Sequence, residues 1–292
     1  MSTKLVLLGT GTPNACPDAS GPSCAVVVDD QAYVVDFGPG VVRQASKAYF
    51  KGIDALRPDK LDIAFCTHLH SDHTAGLPDL ILTPWVLERN RPLRLFGPKG
   101  LKAMADNITK AYEIDIDFRI NGPEHANIIG YKTEVKEIEE GVIYKDDKVT
   151  VEAFLVQHGN LESYGYKFIS KDKTIVISGD TASLEIIAEK AKDADILLHE
   201  VEYSEGLKSR DPKWYEYHKQ VHTLSVDLAK IAAKAKPKLL VTTHRIYHMN
   251  IQDNTINLDS ELNKRDKQIL EEIQNAGYDG KTVNGKDIDI FE

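Results

Sequence analysis

Four side chains able to bind a metal ion, His68, His70, Asp72 and His73, fall within six positions directly after the apolar run 63–66. Imidazole nitrogen and carboxylate oxygen suit zinc, and also iron or manganese where carboxylate and water complete the shell. In an extended segment alternate side chains share a side, so His68, His70 and Asp72 are expected to converge. His73 then points elsewhere, toward a second ion. A polar surface turn would account for one or two histidines, but not for four ligands at this spacing after a strand.

Such residues need rigid elements behind them. Residues 5–8 read as a first strand, followed by the turn Gly9-Thr10-Gly11-Thr12-Pro13, which lacks the spacing of a phosphate-binding loop. Runs 25–28 and 32–35 read as a β-hairpin, and the turn from Asp36 to Gly40 leads into a helix over 41–49. Asp36 suits two roles, a carboxylate that steadies the histidine loop or a helix N-cap, and the sequence leaves both open. Beyond the strand at 61–66, residues 77–90 carry apolar side chains at helical spacing, Trp85 among them, as core or subunit contact. A strand over 93–96 and a helix over 99–112 follow, and 114–142 mixes signals until strands return at 133–138 and 148–156. A hairpin over 164–169 and 174–177, a helix over 183–193, strands over 194–198 and 238–241, a helix over 259–275 and a short strand or tail over 286–291 complete the frame. Residues 214–218 read as a mobile aromatic loop carrying His218, and His222 opens a helix that reaches Ala235. The placement of polar residues repeats: His158, Asp180, His199 with Glu200, and His244 each follow an apolar strand, as the first cluster does. In layered α/β proteins strand ends form a rim on which loops present ligands.

The chain of 292 residues is 42% hydrophobic and 28% charged, enough to bury a sizeable core in one domain spanning 1–292. The absence of an apolar run of about 18–20 residues argues against a membrane-embedded chain. The start runs from a four-residue apolar core into glycines, so a buried strand is expected rather than a secretory signal. Cys16, Cys24 and Cys66 are sparse and odd in number, which suits reduced thiols in the cytoplasm. A net charge of −9, without a basic run, leans toward a small-molecule substrate and makes nucleic acid an unexpected partner.

His68-Leu-His70-Ser-Asp72-His73, with His158, Asp180 and His244 in order behind it, resembles the metallo-β-lactamase superfamily and, within it, the branch of ribonuclease Z and arylsulfatase-like and phosphodiesterase-like hydrolases. The likeness extends to Leu8-Gly-Thr-Gly-Thr-Pro13, to Asp36-Phe-Gly-Pro-Gly40, and to the pair His199-Glu200 and His222-Thr223. It covers residues 4 to 250. The resemblance implies a four-layer αββα sandwich, with two mixed sheets face to face and helices outside. It implies two divalent ions per chain, zinc foremost with manganese or iron as alternatives. His68, His70 and His158 would hold the first, Asp72, His73 and His244 the second, with Asp180 bridging. Glu200 and His222 would protonate the leaving group, and the resemblance further suggests a homodimer.

Departures from the ribonuclease pattern shape the expected substrate. His158 and Asp180 are only 22 positions apart, too few for the tRNA-gripping arm that ribonuclease Z carries there. The wording Arg245-Ile-Tyr-His after His244, and Val201-Glu-Tyr after Glu200, also differ. The expectation is therefore a binuclear hydrolase of small phosphate or sulfate esters, using a metal-activated water oriented by Asp72 and a proton from His222. A ribonuclease Z-type tRNA 3′-processing endonuclease is the alternative. A non-catalytic protein with structural ions is the second, disfavoured because seven ligands shared by two ions leave coordination positions for water.

Overall fold

β-branched residues crowd the start of the chain, and they pair into the antiparallel strands β1 (Thr3–Gly9), β2 (Ser23–Val28) and β3 (Gln31–Val35), with Asp29 and Asp30 at the tip of the second hairpin. The computed structural model describes residues 2–250 and 253–292. Two compact units emerge, one from residues up to Gly9, Ala19–Glu139 and Asp287–Glu292, the other from Thr10–Asp18 and Glu140–Lys286.

In the first unit the chain continues through α1 (Val41–Phe50), β4 (Ile63–Phe65), the four-residue α2 (Ser71–Thr74), α3 (Leu77–Val86), β5 (Leu93–Gly97), α4 (Leu101–Ala111), α5 (Glu113–Asn121) and β6 (Thr133–Glu137). Strands β3 to β6 lie parallel, each neighbour reached through a helical crossover. Alternate strand residues Val6, Leu8, Ala25, Val27, Val34 and Leu95 meet the apolar faces of α1, α3 and α4 in one cluster. Of the side chains of α3 that could have met a second subunit, Leu77, Leu80 and Ile81 are buried in that core, and Trp85 is buried with its Nε1 donating to Asn127 O at 2.8 Å.

Pro84 sits inside α3 and has no N–H to give to the carbonyl of Leu80. Arg89, fully buried, supplies the donor: Nη1 donates to Leu80 O (3.0 Å) and Leu61 O (2.7 Å), and Nη2 to Ile81 O (2.7 Å) and Gly130 O (2.8 Å). Burial pulls the guanidinium down to about 10, so it stays charged at neutral pH. Replacing Arg89 with Met strands four buried carbonyls and is expected to cost about 3 kcal/mol or more in urea denaturation. A loss under about 1 kcal/mol would show that water takes over these bonds.

The second unit is built from β7 (Gly141–Lys145), β8 (Thr150–His158), β9 (Leu161–Ile169), β10 (Thr174–Ile177), α6 (Glu185–Lys190), β11 (Ile196–Glu202), α7 (Ser204–Lys208), α8 (Pro212–Val221), α9 (Ser225–Ala235), β12 (Leu239–Ile246), α10 (Leu258–Asn275) and β13 (Thr282–Asn284). The last strand, β14 (Ile290–Phe291), returns to the first unit and pairs with β1. Each sheet therefore has seven strands, ordered β14-β1-β2-β3-β4-β5-β6 and β13-β12-β11-β10-β9-β8-β7. Both are mixed, antiparallel over one half and parallel over the other. Helices α6, α9 and α10 bury Ile187, Leu228, Ala232, Ile269 and Ile273 against Val176, Leu197 and Leu240 of the second sheet.

Two regions differ from the sequence expectation. The stretch 114–142 holds α5 and β7 besides the anticipated strand, and residues 214–218, expected as loop, lie inside α8. Among the described residues no helix is long and apolar enough to cross a membrane.

Candidate functional site

In the first unit β3 and β4 run parallel side by side, so the loops leaving their C-terminal ends are neighbours. Asp36 leaves β3 and the histidine loop leaves β4. Asp36 Oδ1 accepts from Thr67 N, and Oδ2 accepts from both Thr67 Oγ1 and His73 Nδ1, each at 2.7 Å. Asp36 thus acts on the histidine loop, while the residue before α1 is Gly40. Because the Thr67 hydroxyl proton points at Asp36, its oxygen is left to accept from His68 Nδ1 at 3.0 Å. In both His68 and His73 the proton is thereby fixed on Nδ1 and Nε2 keeps the lone pair, the tautomer a metal ligand needs.

The histidine stretch is not extended as expected. After His70 the backbone turns into α2, so Asp72 and His73 sit on one helical turn, with His73 Nε2 3.5 Å from Asp72 Oδ2. His68 Nε2 and His70 Nδ1 come within 3.0 Å, and the His68 and His73 ring centroids within 4.2 Å. Two glycines let this turn press on the Asp36 turn. A Cβ on Gly38 would lie 2.5 Å from Asp72 O, and one on Gly76 would lie 2.4 Å from Gly38 O. Asp36 itself holds φ +58°, a left-handed conformation kept by these bonds.

In the second unit β8, β10, β11 and β12 point the same way, because β9 runs antiparallel to both β8 and β10. Their C-terminal ends share one edge, where His158 ends β8 and Asp180 follows β10. His158 Nδ1 donates to Val221 O at 2.6 Å, again leaving Nε2 with the lone pair. His244 and Glu200 are not beyond strands but within them. The pairing of β11 with β12 shifts between Glu200 and Val201, opposite Thr243 and Arg245, so His244 occupies a bulge at φ +43°. A bulge re-aims its side chain, here setting Nε2 3.4 Å from Asp180 Oδ2. His158, Asp180 and His222 offer atoms within 4.8 Å of one another, as do Glu200, His222 and His244.

Glu200 Oε1 accepts from Thr181 N (3.0 Å), Thr223 N (3.2 Å) and His222 Nδ1 (3.1 Å). Burial pushes the Glu200 carboxyl up. Burial pulls His222 down, but the Glu200 carboxylate beside it, helped by Asp180 and Glu202, outweighs this and leaves the imidazole at about 9. His222 is thus a proton carrier at neutral pH with Nε2–H turned away from its anchor. His199 differs: its Nδ1 meets Glu200 O at 2.6 Å, and burial lowers it to about 4, which makes it a neutral core histidine.

Several contributors escaped the sequence reading. Thr67, Thr181 and Thr223 are backing donors with no signal beyond their place beside a ligand or acid. Arg245 donates to Asp266 of α10 (2.9 Å) and to Gly285 O, which gives the C-terminal segment a role in holding the strand that carries His244. Glu202, two residues after Glu200, is fully buried and contacts His218 Nδ1 (2.9 Å) and His248 Nε2.

If Asp36 holds the ligand tautomers as described, Asp36→Ala is expected to weaken metal binding about 10–100-fold in a chelator competition. Unchanged affinity would mean that His73 is oriented by its turn alone.

Residues 31–245, a span that includes every candidate from Asp36 to His244, match the family described as Beta-lactamase superfamily domain. The chain is 32% identical over 252 residues to a protein named ribonuclease Z from Mycobacterium bovis (strain BCG / Pasteur 1173P2), covering 83% of this chain and 86% of that one. Its fold is similar to that of the metallo-β-lactamase fold protein YhfI from Bacillus subtilis (TM-score 0.72, 16% identity, 99% and 98% of the two chains). It is also similar to the short form of human tRNase Z (TM-score 0.67, 20% identity, 99% and 98%). These likenesses show the fold class, two mixed sheets flanked by helices in the metallo-β-lactamase manner. They also correct two expectations. A small phosphate or sulfate ester as substrate, and nucleic acid as an unexpected partner, are both set aside by relatives named ribonuclease Z across most of the chain. The physical error was to read a net charge and a missing arm as properties of the site. Charge summed over a chain does not report the local field where phosphates bind, and an absent grip leaves the reacting residues intact.

Proposed function

This chain belongs to the β-lactamase superfamily, and we propose that it is a metal-dependent phosphodiesterase of the ribonuclease Z kind, acting on RNA precursors with a 3′ extension such as those of tRNA. The observation that carries this reading is the 32% identity over 83% of the chain to a protein of that name. We further propose that residues 1–292 work as one functional domain in the cytoplasm, a compartment that suits three free cysteines.

The donor set fits divalent ions. His68, His73 and His158 each have Nδ1 committed to a neighbouring oxygen, and the carboxylates of Asp72 and Asp180 lie 3.5 and 3.4 Å from imidazole nitrogens. In our assignment, which follows the family resemblance, His68, His70 and His158 would hold one ion and Asp72, His73 and His244 a second, with Asp180 available to both, and zinc would best match the nitrogen-rich set. Two such ions, when bound, acidify a water and neutralise charge on the phosphate during in-line displacement.

The side chains do the rest. Asp72 orients the attacking water and takes up its proton. His222 donates the Nε2 proton to the oxygen that leaves phosphorus, so the broken P–O bond ends as a hydroxyl rather than an alkoxide. Glu200 keeps His222 charged and aimed by holding Nδ1, and the backbone donors of Thr181 and Thr223 hold Glu200. Incubating the zinc-loaded protein with a 3′-extended tRNA precursor and resolving products on a gel tests the reading. Release of the 3′ extension as one fragment supports it. An intact precursor under conditions where the protein retains its metal contradicts it.

A further inference from the structure

Helix α8 spans ten residues, yet Val221 is its only buried one. A helix of this length has little stability of its own in water. Its C-terminal end is held to the sheet by several contacts, among them Gly159 N donating to Gln220 O at 3.3 Å. Val221 O accepts from the ligand His158, and His218 Nδ1 lies 2.9 Å from the buried Glu202 carboxylate. The N-terminal turn is capped by the Asp211 side chain on Lys213 N. Between these ends Trp214 and Tyr217 stand 41% and 50% exposed, two large rings in contact with each other on the surface.

The rings form a sequence. Trp214, Tyr217, His218 and His222 recur at helical spacing, so they line one side of α8 and continue past its end. Trp214 and Tyr217 meet edge to face at 5.9 Å, Tyr217 and His218 at 5.4 Å, and His218 and His222 at 5.8 Å with planes 33° apart. The ladder thus runs from solvent to the proposed leaving-group acid. Cations flank it: Lys213 Nζ lies 5.6 Å from the Trp214 ring and Lys219 Nζ 5.3 Å from the Tyr215 ring, with Arg210 just ahead of the helix. Between residues 208 and 219 four basic side chains face two acidic ones, against the chain's net charge of −9.

We propose that α8 is a binding arm for single-stranded RNA, taking the unpaired 3′ segment of the substrate. Trp214 and Tyr217 stack on bases, Arg210, Lys213 and Lys219 pair with phosphates, and the ladder guides the strand to His222. Alternating rings and cations bind single strands in this way, because every base has a π-face and every linkage a charge. The inference rests on the ribonuclease reading for its substrate, and it supplies the grip that the short span between His158 and Asp180 lacks.

Of the two tryptophans Trp85 is 1% exposed and Trp214 41% exposed, so quenching of intrinsic fluorescence reports the arm. The probe is a 2′-O-methyl oligouridine of about eight nucleotides, within the usual span of single-strand sites, titrated into the zinc-loaded protein. Saturable quenching that weakens with added salt is expected. Tyr217→Ala should weaken binding about tenfold, and Tyr217→Phe should restore it. Wild-type affinity in Tyr217→Ala, or no saturable quenching, overturns the proposal. A parallel precursor assay separates the two readings. Quenching lost in Tyr217→Ala without precursor cleavage keeps the arm and refutes the ribonuclease function. Cleavage with an unchanged KM in Tyr217→Ala does the reverse.

Discussion

Asp180→Ala is expected to strip metal from the protein and lower RNA hydrolysis by on the order of 10³-fold or more, the scale of several kcal/mol of lost charge stabilisation. Asp180 follows the end of β10, is 3% exposed, and sits 3.4 Å from His244 Nε2. In the proposed assignment it alone serves both ions, so its loss cannot be confined to one of them. The same variant should not unfold the chain. Metal-free Asp180→Ala is expected to melt close to the metal-free parent, because the change removes ligand oxygens and leaves the apolar cluster of this sheet untouched. Metal analysis and thermal unfolding together check this. Full metal content would show that Asp180 has been given the wrong role, and a collapse of stability would make it a structural residue.

His222→Ala carries the second large effect, with the opposite metal signature. Loss of a general acid typically costs 10²–10⁴ in rate, so kcat should fall by about that factor while metal content stays normal. The pH dependence gives an independent handle. The Glu200 carboxylate holds His222 at about 9 against the pull of burial, and the acting form is protonated. Activity should therefore decline on the alkaline side, as pH rises through the His222 pKa that the Glu200 carboxylate holds up. Glu200→Gln removes the charge that raises His222, so the alkaline limb should move toward the ordinary histidine value of about 6.5. A limb that stays put in Glu200→Gln, or loss of metal in His222→Ala, would assign His222 to the coordination shell.

What could be read from the sequence follows from what strands do to neighbouring residues. His68, His70, His158 and Asp180 were legible because each follows an apolar run at a turn. Residue type and position alone therefore announced a rim. The geometry of Asp72 and His73 was not, since four residues of helix leave no periodic signature and an extended reading fits the same letters. Glu200 and His244 were found as residues but misplaced, because a strand that carries polar side chains at its working end looks shorter than it is, and a bulge such as that at His244 is invisible without its partner strand. The α8 arm was missed as a helix for a related reason. With Val221 as its only buried residue it has no apolar stripe, and periodicity detects burial rather than helicity. The carbonyls that Arg89 serves and the distant Asp266 that Arg245 meets leave no signature in the sequence. Substrate class was the largest misreading, and it came from the global charge, the short span between His158 and Asp180 and the wording after Glu200 and His244.

The proposed function requires a metal-dependent RNA-cutting centre. Its most direct measurement is a zinc titration into chelator-stripped protein, with bound metal and cleavage of a 3′-extended tRNA precursor read in the same sample. Cleavage that is absent without metal, rises with zinc and saturates near two ions per chain is the expected result. Precursor cleavage at full rate in stripped protein, or saturation with two ions and no cleavage, would contradict it.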